Sequence, residues 1–449
     1  MRRATLSEAN SLHRNGYSFG RRTPRVRDWA AEPGTVSISE MPRHLHTSAD
    51  SENSRSGERP RRPERRLLLG VARWALEGEE KRAGRAVEVP DGVDWARFGR
   101  QATAHSMVAP VHRWLSVRPD LDVPAGVAES LEDRARRATY TSLDMVRTLH
   151  RVFAVLEAED VRALPYKGPA LRAAIYDDVA FREAADLDVV VSRTDVRAAR
   201  AALLEAGFRP RNELDDLALR THVRGARHTA AVSDSGVIVE LHWRVTAGQF
   251  PFPVDFERLW AGRETVDIGG ETLPTMRSTD RLALLSVHGN RHCWSGLCWL
   301  CDFAAAVRTF DVDWERLLES AAERGGERML LVGCELADRL LDVDPPAAVE
   351  RRRARGDAVD ALARRVEKRF LWTGQHDGLE LFSYRLAVRE RWRDRARGAV
   401  RTLALPNRAD LEVLPELARY YPLAVAVRPF RVATEAGRLL AERVAAVVT

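Results

Sequence analysis

The chain is poor in long apolar runs, cysteine and lysine, and each shortage excludes something. No stretch approaches 18 uninterrupted apolar residues, the minimum for a membrane-crossing helix, so no membrane partner is expected. The first residues lack the apolar centre of a secretion signal. Four cysteines, Cys293, Cys298, Cys301 and Cys334, in 449 residues do not make the disulfide framework of a small secreted protein. Both shortages point to a cytoplasmic location. Among 71 basic residues only Lys81, Lys167 and Lys368 are lysines. That Arg- and Ala-heavy background most simply reflects compositional bias, and against it Lys167 stands out.

A basic excess is missing from most of the chain as well. Residues 1–66 carry 14 arginines against 8 acidic residues and so hold the whole net charge of +6. The 57 basic and 57 acidic residues that follow cancel. A long nucleic acid would want a continuous basic groove, so none is expected as partner. The tail, rich in Arg, Ser, Pro, Glu and His without apolar periodicity, reads as disordered. Met41 is a second candidate start.

With 45% apolar residues the remainder can bury a substantial core. Helical periods run over 66–80, 95–117 and 127–159, the last with Leu131, Ala135, Leu143, Val146, Leu149, Phe153 and Leu156 on one stripe. Then the pattern alternates: strand 163–166, helix 169–176, strand 187–191, helix 194–206. Strands at 228–232 and 237–243 flank Ser233-Asp-Ser-Gly236, a hairpin turn. A second strand pair is expected at 264–268 and 271–274 around Gly269-Gly270. After Met276 the chain reads helical: 280–310, 313–324, 328–341, 347–371, 377–398 and 435–448.

Phe181-Arg-Glu-Ala-Ala-Asp-Leu-Asp-Val-Val-Val191 carries the chemistry. Residues two apart on a strand point the same way, which sets Asp186 and Asp188 side by side, Cα atoms about 6.5 Å apart. Two desolvated anions repel, a divalent cation relieves them, and hard oxygen ligands suit Mg²⁺. Upstream, Leu164-Pro-Tyr-Lys-Gly-Pro-Ala-Leu171 predicts a strand end, a turn at Gly168 and a helix with Pro169 in its first turn. A helix start favours phosphate, and Lys167 adds a point charge. Downstream, Gly236-Val-Ile-Val-Glu-Leu-His-Trp243 offers a third carboxylate, Glu240. Arg182 reaches either a phosphate or the nearby Glu183 or Asp178. His242 shares a strand face with Glu240; it either orients that carboxylate or is a satisfied histidine beside a core Trp243.

The order Lys-Gly-x-Ala-Leu, Tyr, Arg-x-x-x-Asp-x-Asp with three apolar residues, then Glu-Leu-His-Trp resembles the uncharacterised nucleotidyltransferase family of the DNA polymerase β-like superfamily, from about Leu67 to about Val343. The resemblance implies an α+β fold, with a nucleotidyltransferase-like mixed sheet preceded and followed by helical regions. The expected divisions are a tail (1–66), a helical region (67–160), a core (161–276) and a helical domain (277–449). It implies metal-dependent transfer of a nucleotidyl group from a nucleoside triphosphate, ATP first, with two Mg²⁺ ions. Asp186 and Asp188 fall on the metal pair, Glu240 on the third carboxylate, and Gly168 on the glycine opening the phosphate-facing helix. Lys167 and Arg182 are the candidate phosphate contacts. The superfamily often has Gly-Ser or Gly-Gly where this chain has Gly168-Pro169, so the triphosphate must be held differently. The expected acceptor is a hydroxyl of a small molecule, with a protein acceptor second. A nucleotide-binding module without turnover and a kinase-like phosphoryl transfer are the rival readings.

His288, His292, Cys293, Cys298, Cys301 and Asp302 gather basic and soft ligands, but not at a standard zinc spacing. Their expected role is to wall the acceptor pocket or to pack the helical domain on the sheet.

Overall fold

The computed structural model describes residues 63–176, 181, 186–211, 219, 222–223, 226–246, 250, 252–370, 378–404, 425–434 and 437. Arg182, nearly all of the expected tail and nearly all of the expected last helix lie outside these residues.

Four helices come first: α1 (Pro63–Leu76), α2 (Glu79–Gly84), α3 (Trp95–Ala104) and α4 (Val108–Ser116). The helical period expected over 95–117 is broken at His105–Met107, where Ser106 takes a left-handed φ of 53°. Helix α5 (Ala125–Ala158) runs 34 residues without a break. The alternating segment follows: β1 (Ala163–Pro165), α6 (Gly168–Ile175), β2 (Asp186–Val191), α7 (Val196–Glu205), β3 (Arg209–Pro210), β4 (His228–Val232) and β5 (Ile238–His242). Next are α8 (Phe256–Ala261) and the hairpin β6 (Glu264–Ile268) and β7 (Glu271–Thr275), which turns at Gly269 and Gly270, both at positive φ. Helices α9 (Ser278–Arg291), α10 (Leu297–Thr309), α11 (Trp314–Arg324), α12 (Glu327–Leu341), α13 (Ala347–Arg353) and α14 (Ala358–Arg365) continue the chain. A π-helical turn (Val366–Phe370), α15 (Gly378–Ala387) and α16 (Trp392–Ala404) follow.

The sheet order is β1-β2-β5-β4-β3, with β2 and β5 parallel and the other neighbours antiparallel. The mixed sheet is flanked in sequence by helices on both sides, the expected α+β architecture. Two-residue alternation sorts its faces. Leu187, Val189 and Val191 of β2 join Val239 and Leu241 of β5 in a core that also holds Leu149, Val152 and Leu156 of α5 and Ala199 and Leu203 of α7. Each such valine or leucine contributes about 1.5–3 kcal/mol by leaving water. Val190 and Leu164 point the other way, into a second core built from α1, α3, α4, the first half of α5 and α9 to α12. Helix α5 belongs to both, with Leu131 and Ala135 in one and Met145 to Leu156 in the other. Asp186 and Asp188 share the parity of Val190, so they face the helical side.

The helices expected over 280–310, 347–371 and 377–398 are each broken, into α9 and α10, α13 and α14, and α15 and α16. The break at 292–296 places Cys293 and Trp294 at left-handed φ values of 51° and 53°. Non-glycine residues rarely pay that conformational cost, of order 1–3 kcal/mol each. Packing compensates here: the fully buried Trp294 ring lies over Gly289, so close that a Cβ there would collide with it. His105 then anchors the new helix start, its Nδ1 accepting from the Leu297 N–H at 3.2 Å. Burial pushes that imidazole down to about 4, so it is neutral and free to accept.

Candidate active site

The sheet register assembles the acidic residues. On adjacent parallel strands Asp188 is the direct partner of Glu240, and Asp186 of Ile238. On the antiparallel β4–β5 ladder His228 is the partner of His242. By alternation Asp186, Asp188, Glu240, His242 and His228 project from one face. His242, 1% exposed, sits between the two carboxylates: its Nε2 lies 2.7 Å from Asp188 Oδ1 and 3.0 Å from Glu240 Oε2. His228 Nε2 lies 3.5 Å from Glu240 Oε1.

The electrostatics follow from this crowding. Burial opposes ionisation of Asp188, but Lys167 and His242 outweigh it and hold the carboxyl below the usual range. Glu240 behaves alike, with His242 and His228 overcoming its burial. Burial disfavours a charged His242, yet the two carboxylates raise its pKa above the ordinary value. Burial, then His242, pushes His228 down to about 3, leaving it neutral. Burial and the charges of Asp188 and Glu240 lift Asp186 to about 7. Two like charges this close cannot both ionise freely, and Asp186 keeps the proton.

The sign of that shift gives a measurable consequence. Asp186 has a folded pKa above its unfolded value of roughly 3.9. Its contribution to stability is full below the unfolded value and is lost as pH rises through about 7. Asp186→Asn has no proton to lose. In chelator it should gain stability over wild type by on the order of 3 kcal/mol between pH 4.5 and pH 8. Thermal melts at the two pH values measure this; a difference independent of pH would remove the shift.

The Lys167-Gly168 turn lies beside β2. Gly168 has φ of 62°, and a Cβ there would meet the Asp186 carbonyl at 3.6 Å and Leu187 at 3.7 Å. Pro169 occupies the first turn of α6, and no side chain caps it. Lys167 is held by a hydrogen bond from Nζ to His288 Nδ1 at 2.9 Å and lies 4.6 Å from the Tyr166 ring centroid. Burial lowers its pKa to about 8.

Lys167, Asp188 and His242 line one cleft, partly open to solvent, with Arg227, His288 and Arg291. The structure therefore brings together Asp188, Glu240 and Lys167, with Asp186 and Gly168 adjoining. It adds residues that the sequence reading did not single out as site members: His228, Arg227 and Arg291. The signal for His228 was present, because the Ser233–Gly236 turn fixes the hairpin register that sets it opposite His242. For Arg291 no local signal existed.

A divalent cation fits this donor set. The ligand atoms of His228, Glu240 and His242 lie within 4.8 Å of one another. Asp188 adjoins them through His242. Neither ring nitrogen of His242 forms a well-directed hydrogen bond, although Nε2 is so close to both carboxylates. A basic group placed between two acids, without directed bonds of its own, occupies the sort of position a metal ion favours. The His288–Asp302 set forms no comparable group among the described residues. There His288, His292 and Trp299 instead pack as rings 4.7–5.2 Å apart, and Cys293, Cys298 and Cys301 are buried.

Among the described residues no helix is long and apolar enough to cross a membrane. No curated protein and no solved structure matches the chain. A family model described as "uncharacterised nucleotidyltransferase" matches residues 91–342, more than half of the chain. The matched stretch takes in the sheet, Lys167, the three carboxylates and Arg291. By that match the chain belongs to the uncharacterised nucleotidyltransferase family, and its substrates include a nucleoside triphosphate.

Proposed function

We propose that the protein transfers a nucleoside monophosphate from a nucleoside triphosphate, ATP first, to a hydroxyl of a small-molecule acceptor and releases pyrophosphate. The observation that carries this reading is the pairing of Asp188 with Glu240 across adjacent strands, with Asp186 on the same face. In it Asp186, Asp188 and Glu240 would hold two Mg²⁺ ions, and His242 and His228 would serve as nitrogen ligands or as orienting partners of Glu240. When bound, the ions supply charge stabilisation to the attacking and leaving oxygens. The chain's own groups do the rest. Lys167 and the Gly168 turn steady the phosphates, and Glu240, ionised and buried, accepts the acceptor proton. Arg182 is a further phosphate contact in this reading. Residues 161–276 form the transferase module, with helical regions at 67–160 and 277–449 before and after it, in a cytoplasmic protein. A protein acceptor is the second choice. The charge balance beyond the tail disfavours a long nucleic acid.

A second reading has one observation in its favour. His242, with its raised pKa, already neutralises the acids, which suits a module that binds nucleotide without turnover. The deciding experiment incubates the full chain and a cell extract with labelled ATP and Mg²⁺ or Mn²⁺. Pyrophosphate release with a product heavier by AMP is the expected result. A product heavier by one phosphate would establish a kinase instead. Nucleotide binding with no product would establish the module.

A further inference from the structure

Three basic side chains meet in the cleft. Lys167, Arg227 and Arg291 line it, against Asp188 as the carboxylate among its lining residues. Among the described residues no carboxylate lies within ion-pair distance of Lys167 or Arg291. Their hydrogen bonds go to imidazoles instead. Lys167 binds His288, and Arg291 donates from Nε and NH2 to His292 Nε2 at 3.1 and 2.6 Å. Burial and the charge of Arg291 hold His292 well below its ordinary pKa, so it is neutral. Burial, then repulsion by Arg227 and Arg385, also lowers Arg291 itself, to about 9. Crowding like charges in a poorly solvated cleft is costly unless an anion joins them.

Arg291 is also fixed in place. It is the last residue of α9, and Arg385 Nε binds its carbonyl at 2.9 Å. The left-handed pair Cys293 and Trp294 follows at once. Inside α9, Asn290 donates to the Met329 carbonyl at 3.0 Å and accepts from Tyr384 at 2.8 Å. A guanidinium on such a support is preorganised for an oxyanion. The Gly168 turn is short of donors, because Pro169 has no N–H.

We propose that Arg291, with Arg227 and Lys167, forms a polyphosphate subsite that receives the β- and γ-phosphates of the nucleotide. This rests on the nucleotidyl-transfer reading and deepens it. The leaving group is then gripped by a residue more than 100 positions beyond the glycine turn, from the helical side of the cleft. Three cations answer a triphosphate better than they answer a neutral hydroxyl acceptor.

The test uses the full chain and inorganic tripolyphosphate, followed by calorimetry, with adenosine as the phosphate-free control. Wild type should bind one tripolyphosphate. Arg291→Gln should weaken that binding and ATP binding at least tenfold and leave adenosine binding unchanged. Arg291→Lys keeps the charge without the fork, so it should recover only part, and it serves as the second variant if the glutamine form does not melt cooperatively. No tripolyphosphate binding by wild type, or binding by a folded variant within twofold of wild type, overturns the subsite. So does an Arg291→Gln enzyme with unchanged nucleotide KM and raised acceptor KM, in which case transfer stands and the arginine serves the acceptor. Conversely, Arg291-dependent tripolyphosphate binding without pyrophosphate release from any nucleotide leaves the subsite in place and removes the transfer reading.

Discussion

Asp188→Asn should cut pyrophosphate release by about a thousandfold or more, equivalent to about 4 kcal/mol of lost transition-state stabilisation, while the protein stays folded. The argument is electrostatic. Asp188 is 9% exposed and lies at the meeting point of the cleft, the sheet register and His242. An asparagine fills the same volume and keeps an oxygen toward His242, but it cannot carry the charge that retains a divalent ion. It also takes one of two acids from His242, whose pKa should fall. Two readouts belong together: turnover, and the rise in melting temperature on adding Mg²⁺, which reports binding to the native state. Both should vanish in the variant. If Asp188→Asn turns over within tenfold of wild type, the aspartate has no part in the metal site.

Trp294→Ala should cost roughly 3–5 kcal/mol of stability, the range for emptying a large aromatic from a core. Trp294 is fully buried. Its ring lies against Gly289 and Gly333, each lacking the side chain that would collide with it, and packs edge-on to Phe303 at 5.6 Å. Neither glycine can extend to fill the space. The loss also frees the left-handed turn after α9, so the grip on Arg291 should loosen with it. Trp294→Phe should lose much less. It keeps the aromatic contact, and it removes an indole N–H that finds no acceptor among the described residues. A urea titration reads both changes as midpoint shifts. A loss below about 1 kcal/mol for the alanine variant would mean that the pocket closes around the gap.

Much of the site was readable from residue order because its cause is local. Strand alternation is a property of the backbone, so Asp-Leu-Asp sets two acids on one face whatever surrounds them. The Lys167-Gly168-Pro169 turn is equally local: Gly168 reaches positive φ without a Cβ to hinder it, and Pro169 fits the first helical turn. Even the facing of His228 and His242 is implied by the length of a four-residue turn. The strands at β1, β2, β4 and β5 and the Gly269-Gly270 hairpin fall within a residue or so of the sequence expectation for the same reason.

Elsewhere periodicity misled. The apolar run over 280–310 is continuous in helical spacing, yet the chain turns at 292–296, because burying Trp294 against Gly289 gains more than an unbroken helix would. No window of local sequence contains that comparison. The residue order by itself determined which groups stand on one face of each strand and where the glycine turn falls, since both follow from backbone geometry. Only the tertiary structure decided that His242 sits between Asp188 and Glu240 and that Arg291 and Arg227 join Lys167 across a cleft. Those meetings span tens to more than a hundred residues, and they are set by how two cores pack on opposite faces of one sheet.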